Sequence, residues 1–237
     1  MMSGKRWDYV VQFFCLLVFL GMSPFLIKMD GRKTMSVSSD SVRSQNVSDE
    51  VKPVVALTFD DGPNASSTPI LLDGLKERKV RATFFLIGEN VEKDENEKIV
   101  KRMYEEGHLI GNHTYTHCNL SKLETGEAKK ELEQTDTVIE KITGKQPVFV
   151  RAPYGELPVD SEQDLNRIYI GWTVDPLDWM TEDTGAVVKT VVEEINPGDV
   201  ILLHDCYPSS VQAAIRIVDL LQGKGYEFVT VDHLIMD

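Results

Sequence analysis

From Val51 onward, short apolar runs alternate with stretches in which apolar residues recur every three or four positions. Short runs bounded by turn residues read as buried strands, and the 3.6-residue period reads as one-sided helices. The pattern predicts strands over 54–59, 82–86, 108–111, 148–151, 168–173, 200–203 and 227–231. It predicts helices over 68–77, 96–105, 126–142, 184–195 and 209–221. In the longest of these, Leu132, Val138, Ile139 and Ile142 mark the apolar face. Gly144, Gly198 and Gly225 fall where helices should stop. Alternating strand and helix implies a parallel sheet, closed as a barrel or open and doubly wound. In both, the carboxyl ends of the strands carry the active site.

The first 50 residues break this pattern. Residues 10–27 form an apolar stretch interrupted by Gln12, Ser23 and Pro24, with Lys5 and Arg6 before it. A cleaved signal peptide needs small residues before the cut; Gly21 and Ser23 would serve, but Pro24 is a poor neighbour to a cleavage site. An uncleaved anchor needs roughly 17–25 apolar residues, a length this run just reaches. Lys28, Arg32 and Lys33 follow it, so basic flanks do not settle orientation. The anchor is the preferred reading, and both readings send the body outside the cytoplasm. Residues 31–50 are rich in Ser, Asp and Val without period, and read as a flexible tether. The expected organisation is a membrane segment at 1–30, a linker at 31–50 and a catalytic domain at 51–237.

Charge narrows the partners. The 237-residue chain carries −13, and residues 1–33 hold five basic and two acidic side chains, so the remainder carries −16. Such a body repels nucleic acid and anionic membrane surfaces, and suits a neutral substrate or a cationic product. No nucleic acid or protein partner is expected. An apolar fraction of 42% allows a full core. The three cysteines, Cys15, Cys118 and Cys206, have no zinc-finger spacing.

Five polar clusters sit at the ends of expected strands. Thr58-Phe59-Asp60-Asp61-Gly62-Pro63 places two adjacent carboxylates on a tight turn, where mutual repulsion asks for a cation or a proton; an ordinary Asp-Gly-Pro turn has the same sequence. His113-Thr114-Tyr115-Thr116-His117 spaces two histidines four apart, on one face if the segment is helical. With Asp61 they would supply two nitrogens and one carboxylate to one ion, leaving positions open for water and substrate, as catalytic sites do. Arg151-Ala152-Pro153-Tyr154-Gly155 offers a guanidinium that pairs with carboxylates through its planar fork. Alone, it reads as a surface arginine before a turn. Asp175-Pro176-Leu177-Asp178-Trp179 and Leu202-Leu203-His204-Asp205 add a strand-end histidine and a spare carboxylate, a candidate acid or base.

In this order and spacing the five clusters resemble the five motifs of polysaccharide deacetylases, the NodB-homology domain of carbohydrate esterase family 4. The resemblance covers about residues 51–234 and implies a distorted (β/α) barrel. It implies that Asp60 is the catalytic base, and that Asp61, His113 and His117 hold one divalent ion, usually zinc, sometimes cobalt or another metal. It further implies that Arg151 holds the base, that the Tyr154 N–H binds the oxyanion, and that Asp178 supports His204 as catalytic acid. Leu202 and Trp179 would wall the acetyl-methyl pocket. Ala152 stands where the family often has proline.

The implied activity is metal-dependent removal of N-acetyl groups from N-acetylglucosamine in a cell-wall polysaccharide. A membrane-tethered outer domain favours peptidoglycan over dissolved chitooligosaccharide or acetylated xylan. Two histidines and a carboxylate also suit iron(II), so a non-haem oxygenase is the rival class; it would not need His204, Asp178 or the Asp60–Arg151 pair. A silent carbohydrate-binding module is a second rival, expected to have lost a ligand or the base. Cys118 follows His117 and Cys206 lies two residues after His204, so a disulfide between them is one expectation and two independent small apolar residues the other. His108 and His233 fit no cluster and read as structural or surface residues. Trp172 and Tyr169 read as core packing before sugar contact.

Overall fold

The structure is a computed structural model that describes residues 52–93, 95–159, 161 and 166–236. The expected membrane segment and linker lie outside the described residues. Among those residues no helix is long and apolar enough to cross a membrane.

Seven strands form one parallel sheet: β1 (Val54–Gly62), β2 (Thr83–Leu86), β3 (Leu109–Asn112), β4 (Phe149–Val150), β5 (Ile168–Tyr169), β6 (Val200–His204) and β7 (Glu227–Val229). The order is β5-β4-β3-β2-β1-β6, with β7 pairing the first residues of β1. The two ends of this row meet through one isolated parallel bridge, Val174 to Ile201. The sheet is a half-barrel of parallel strands, in keeping with the distorted (β/α) barrel that the resemblance implies. The sparse pairing at that bridge follows from sequence: β4 and β5 are two residues long and leave few ladder bonds on that side.

The helices are α1 (Thr68–Glu77), α2 (Gly88–Val91), α3 (Asn96–Glu105), α4 (Thr125–Thr143), α5 (Thr184–Glu194), α6 (Pro208–Gly223) and α7 (Val231–Met236). Helix α4 starts at a capping box, Glu124 with Glu127, and stops at Gly144, whose φ of 71° is left-handed. The main core packs Leu57 and Phe59 of β1 and Phe84 of β2 against α1 and α6, through Leu71, Leu75, Ile217 and Leu221. Burial on both faces explains why these strands read as continuous apolar runs rather than alternating ones.

Candidate active site

All five clusters converge at the carboxyl ends of the strands. β1 and β6 run in register with Asp60 opposite His204. Asn112 ends β3 opposite Val150 of β4, so His113 and Arg151 leave adjacent strands together. The end of β1 and the loops beyond the other strands contain Asp61, Thr114, His117, Tyr154 and Leu177, all non-glycine residues with φ between 54° and 70°. Such conformations cost energy and collect where a fold holds side chains for chemistry.

Asp60 is 3% exposed. Its Oδ1 accepts a bond of 2.9 Å from Arg151 Nη1, which also donates to Thr58 Oγ1 at 2.7 Å. Arg151 spends its other donors on carbonyls, Nε on Ile170 O and Nη2 on Gly171 O, and its guanidinium lies over the Phe85 ring at 4.3 Å. At 1% exposure it is a buried arginine, not the surface residue its motif alone suggests. Burial pushes the guanidinium pKa below its usual value, with Asp60 opposing the shift.

Asp61, His113 and His117 each bring one ligand atom within 4.8 Å of the others. His113 Nε2 is 3.4 Å and His117 Nε2 3.2 Å from Asp61 Oδ1. His113 Nδ1 meets the Arg151 carbonyl at 2.7 Å. A carbonyl only accepts, so Nδ1 carries the proton and Nε2 presents its lone pair. His117 Nδ1 contacts the Tyr154 hydroxyl at 3.3 Å. Asp61 Oδ1 is buried without a hydrogen-bond partner. The His113 lone pair faces a carboxylate oxygen with no proton between them, an arrangement that a cation would complete. The separations match the edges, about 3.3–3.4 Å, of a tetrahedron with bonds of about 2.0–2.1 Å. The donor set fits a divalent ion with an open position. Burial pushes the Asp61 carboxyl up, but the neighbouring imidazoles of His113, His117 and His204 outweigh it and hold it below its usual value. The histidine segment is a loop, not the helix that would put both rings on one face. Positive φ at Thr114 and His117 brings the rings together instead.

On the opposite side, Asp178 lies in a 3₁₀ turn, Asp178–Met180, and is 1% exposed. Its Oδ1 is 2.8 Å from His204 Nδ1, and its Oδ2 accepts the His204 N–H at 2.8 Å. Burial lowers the His204 pKa, but the bond to Asp178 and the charges of Asp178, Asp60 and Asp61 raise it to about 9. Leu202, Trp179, Tyr154, Trp172, Asp175 and Tyr207 complete a cleft of about 400 Å³ around these groups. Trp172 thus reaches the cleft, whereas Tyr169 packs into a small core with Leu120 and Leu132.

Several supports were not found from sequence. Asn112 Nδ2 donates to Asp136 Oδ1 at 2.6 Å, and Asp136 pairs with Arg167 at 2.7 Å. Asp136 occupies the apolar face of α4 between Leu132 and Ile139, and a carboxylate at a core position is a signal that could have found it. Glu131 accepts the N–H groups of Tyr115 and Thr116. Asp205 is fully buried, accepts from Thr68 Oγ1 at 2.6 Å, and is pushed up to about 7 by burial. A Cβ on Gly62 would lie 2.5 Å from Asp205 Oδ2, so only glycine lets the Asp61 turn pack there. Cys118 and Cys206 are free thiols, so the disulfide expectation fails. Partial burial pushes the half-buried Cys206 up to about 12, which suits an unreactive thiol. His108 is structural: it accepts the Ala82 N–H, and burial lowers it to about 4.

The polysaccharide deacetylase family profile matches residues 48–170. The chain belongs to this family. It is 42% identical over 190 residues to a peptidoglycan-N-acetylglucosamine deacetylase of Bacillus cereus, covering 77% of this chain and 68% of that one. It is 39% identical over 194 residues to the peptidoglycan-N-acetylmuramic acid deacetylase PdaC of Bacillus subtilis, covering 82% of this chain but 41% of PdaC. The solved structure of PdaC superposes with a TM-score of 0.74, over 78% of this chain and 90% of the solved one, at 39% identity. A family 4 acetyl xylan esterase from Clostridium thermocellum, solved with a cobalt ion, superposes at 0.72 and 33% identity, over 76% and 89%. The deacetylases of this family are hydrolases that use a divalent metal, which favours the hydrolase reading over the oxygenase one.

Proposed function

We propose that this chain is an extracytoplasmic, zinc-dependent hydrolase that removes N-acetyl groups from N-acetylglucosamine residues of peptidoglycan, tethered through residues 1–30. One observation carries the reaction class. A buried Asp60–Arg151 pair and a His204–Asp178 pair flank the Asp61, His113 and His117 donors in a single cleft. The names of the Bacillus relatives support the polymer, and the apolar N-terminal run supports the location.

Asp61, His113 and His117 would hold the ion. Bound there, a divalent ion supplies Lewis acidity and lowers the pKa of water from near 16 toward about 7. Asp60 takes the proton of the attacking water, and Arg151 keeps that carboxylate aimed. As the acetyl carbonyl becomes tetrahedral, the Tyr154 N–H donates to the developing oxyanion; losing one such donor typically costs about 10²–10³-fold in rate. The amide nitrogen leaves only when protonated. His204, held cationic by Asp178, donates that proton from Nε2, because Nδ1 is committed to Asp178. Leu202 and Trp179 receive the acetyl methyl, one buried and one half-exposed at the cleft wall.

The test is acetate release by the purified full-length chain from peptidoglycan, chitooligosaccharide and acetylated xylan, with zinc or cobalt added. Fastest release from peptidoglycan, with free amine appearing on glucosamine, is the expected result. Release confined to xylan would replace the amide by an ester, and amine on muramic acid would move the cut to the neighbouring sugar.

A further inference from the structure

We propose that Glu131 of α4 is a positioning residue that holds the loop between the two histidines, so that both Nε2 atoms meet one ion. This rests on the reading of Asp61, His113 and His117 as metal ligands. Residues 113–117 belong to no helix or strand, and their shape depends on what their backbone groups bind. The loop carbonyls of Thr114 and Tyr115 accept the N–H groups of Gly88 and Glu89 at the start of α2, both at 3.0 Å. The Thr114 N–H donates to Asn112 Oδ1 at 2.8 Å, and the next two N–H groups share one carboxylate. Glu131 Oε2 accepts the Tyr115 N–H at 3.0 Å and the Thr116 N–H at 2.8 Å, and Thr116 Oγ1 lies 3.1 Å from both Glu131 oxygens.

These bonds fall midway between the ligands, and they are charge-assisted, which makes them stronger than neutral ones. His113 has further anchors, since its N–H meets Leu86 O at 2.9 Å and its Nδ1 meets Arg151 O. His117, with a half-buried ring and φ of 58°, has the Tyr154 hydroxyl as its side-chain hydrogen-bond partner. Release of the loop should therefore displace His117 first. Partners that orient metal ligands typically change affinity or activity by about 10–100-fold when removed.

The experiment measures zinc affinity of the full chain by competition with a chromophoric chelator, and the cobalt(II) absorption spectrum as a report of coordination. The variants are Glu131→Ala, Glu131→Gln and, as a control for charge on α4, Glu133→Ala. Glu131→Ala should weaken zinc about tenfold or more and alter the cobalt spectrum. Glu131→Gln keeps an acceptor oxygen and should restore most of the affinity, while Glu133→Ala should match the wild type. Wild-type affinity in Glu131→Ala overturns the proposal, as does equal weakening by Gln and Ala or by Glu133→Ala. If Glu131→Ala does not fold, Glu131→Asp replaces it: its shortened reach should weaken zinc where Gln does not, and wild-type affinity in both overturns the proposal. A wild-type chain that binds neither metal overturns the ligand assignment itself, a different outcome from unaffected variants of a metal-binding wild type.

Discussion

The cleft contains two groupings of carboxylate with imidazole, built from the same chemical parts and bonded in opposite ways. In the Asp178–His204 grouping the carboxylate meets Nδ1 and the main-chain N–H of one histidine, so both its oxygens are occupied and a proton is favoured on the ring. In the Asp61 grouping the Nδ1 atoms of His113 and His117 are turned to a carbonyl and a phenol, and their Nε2 atoms converge on an oxygen that has no donor. The first arrangement suits the proposed acid; the second leaves a gap in charge that the proposed cation would fill. What Nδ1 touches decides which role an imidazole takes beside a carboxylate.

The largest expected effect comes from breaking the second grouping. His113→Ala should abolish both metal binding and turnover, measured by elemental analysis and acetate release. Retained metal with retained turnover would show that the convergence on Asp61 Oδ1 is incidental. Breaking the first grouping should leave the metal in place. Asp178→Asn should lower turnover by about 10²–10⁴-fold, the range for a general acid. In the metal-free protein, NMR titration should find His204 near pH 9 in the wild type and well below it in the variant. The linkage has a definite sign: the folded value is raised, so the pair's contribution to stability is complete below the unfolded value of about 6.5 and is lost as pH rises through about 9. An unshifted His204 in Asp178→Asn would erase the contrast between the two groupings. The smallest effect should follow Tyr154→Phe. It removes the hydroxyl 3.3 Å from His117 Nδ1 and leaves the main-chain N–H proposed to bind the oxyanion. Zinc affinity should fall by less than the roughly tenfold lower bound for partners of ligands, because the phenol is 66% exposed and water can replace it. A loss as large as that of His113→Ala would make the phenol a principal support of the site.

The sheet was legible because its central strands are buried on both faces and announce themselves as apolar runs. All seven predicted strands and all five predicted helices are present, and α1 and α3 keep their predicted limits. Helices α2 and α7, four and six residues long, are too short to show a period. Of the ten residues singled out by the five clusters, eight line the cleft and Arg151 and Asp178 lie buried behind it, because the clusters sit at or beyond strand ends that the sheet gathers. The supports behind them were not legible. Glu131 and Asp136 act through distance in space rather than spacing in sequence, and Asp205, though part of the fifth cluster, showed its buried bond to Thr68 only in the fold. The histidine loop also escaped a helical reading because its geometry depends on φ values that no residue type in it announces.

The most direct test separates holding the ion from using it. Asp60→Asn removes the proposed base, 3.7 Å from His113 Nε2, while leaving Asp61, His113 and His117 intact. Elemental analysis and acetate release on the purified variant should find wild-type zinc content with turnover reduced by about 10²–10⁴-fold, the usual worth of a general base. Full activity in Asp60→Asn would contradict the assignment of base and ligand to these two adjacent aspartates.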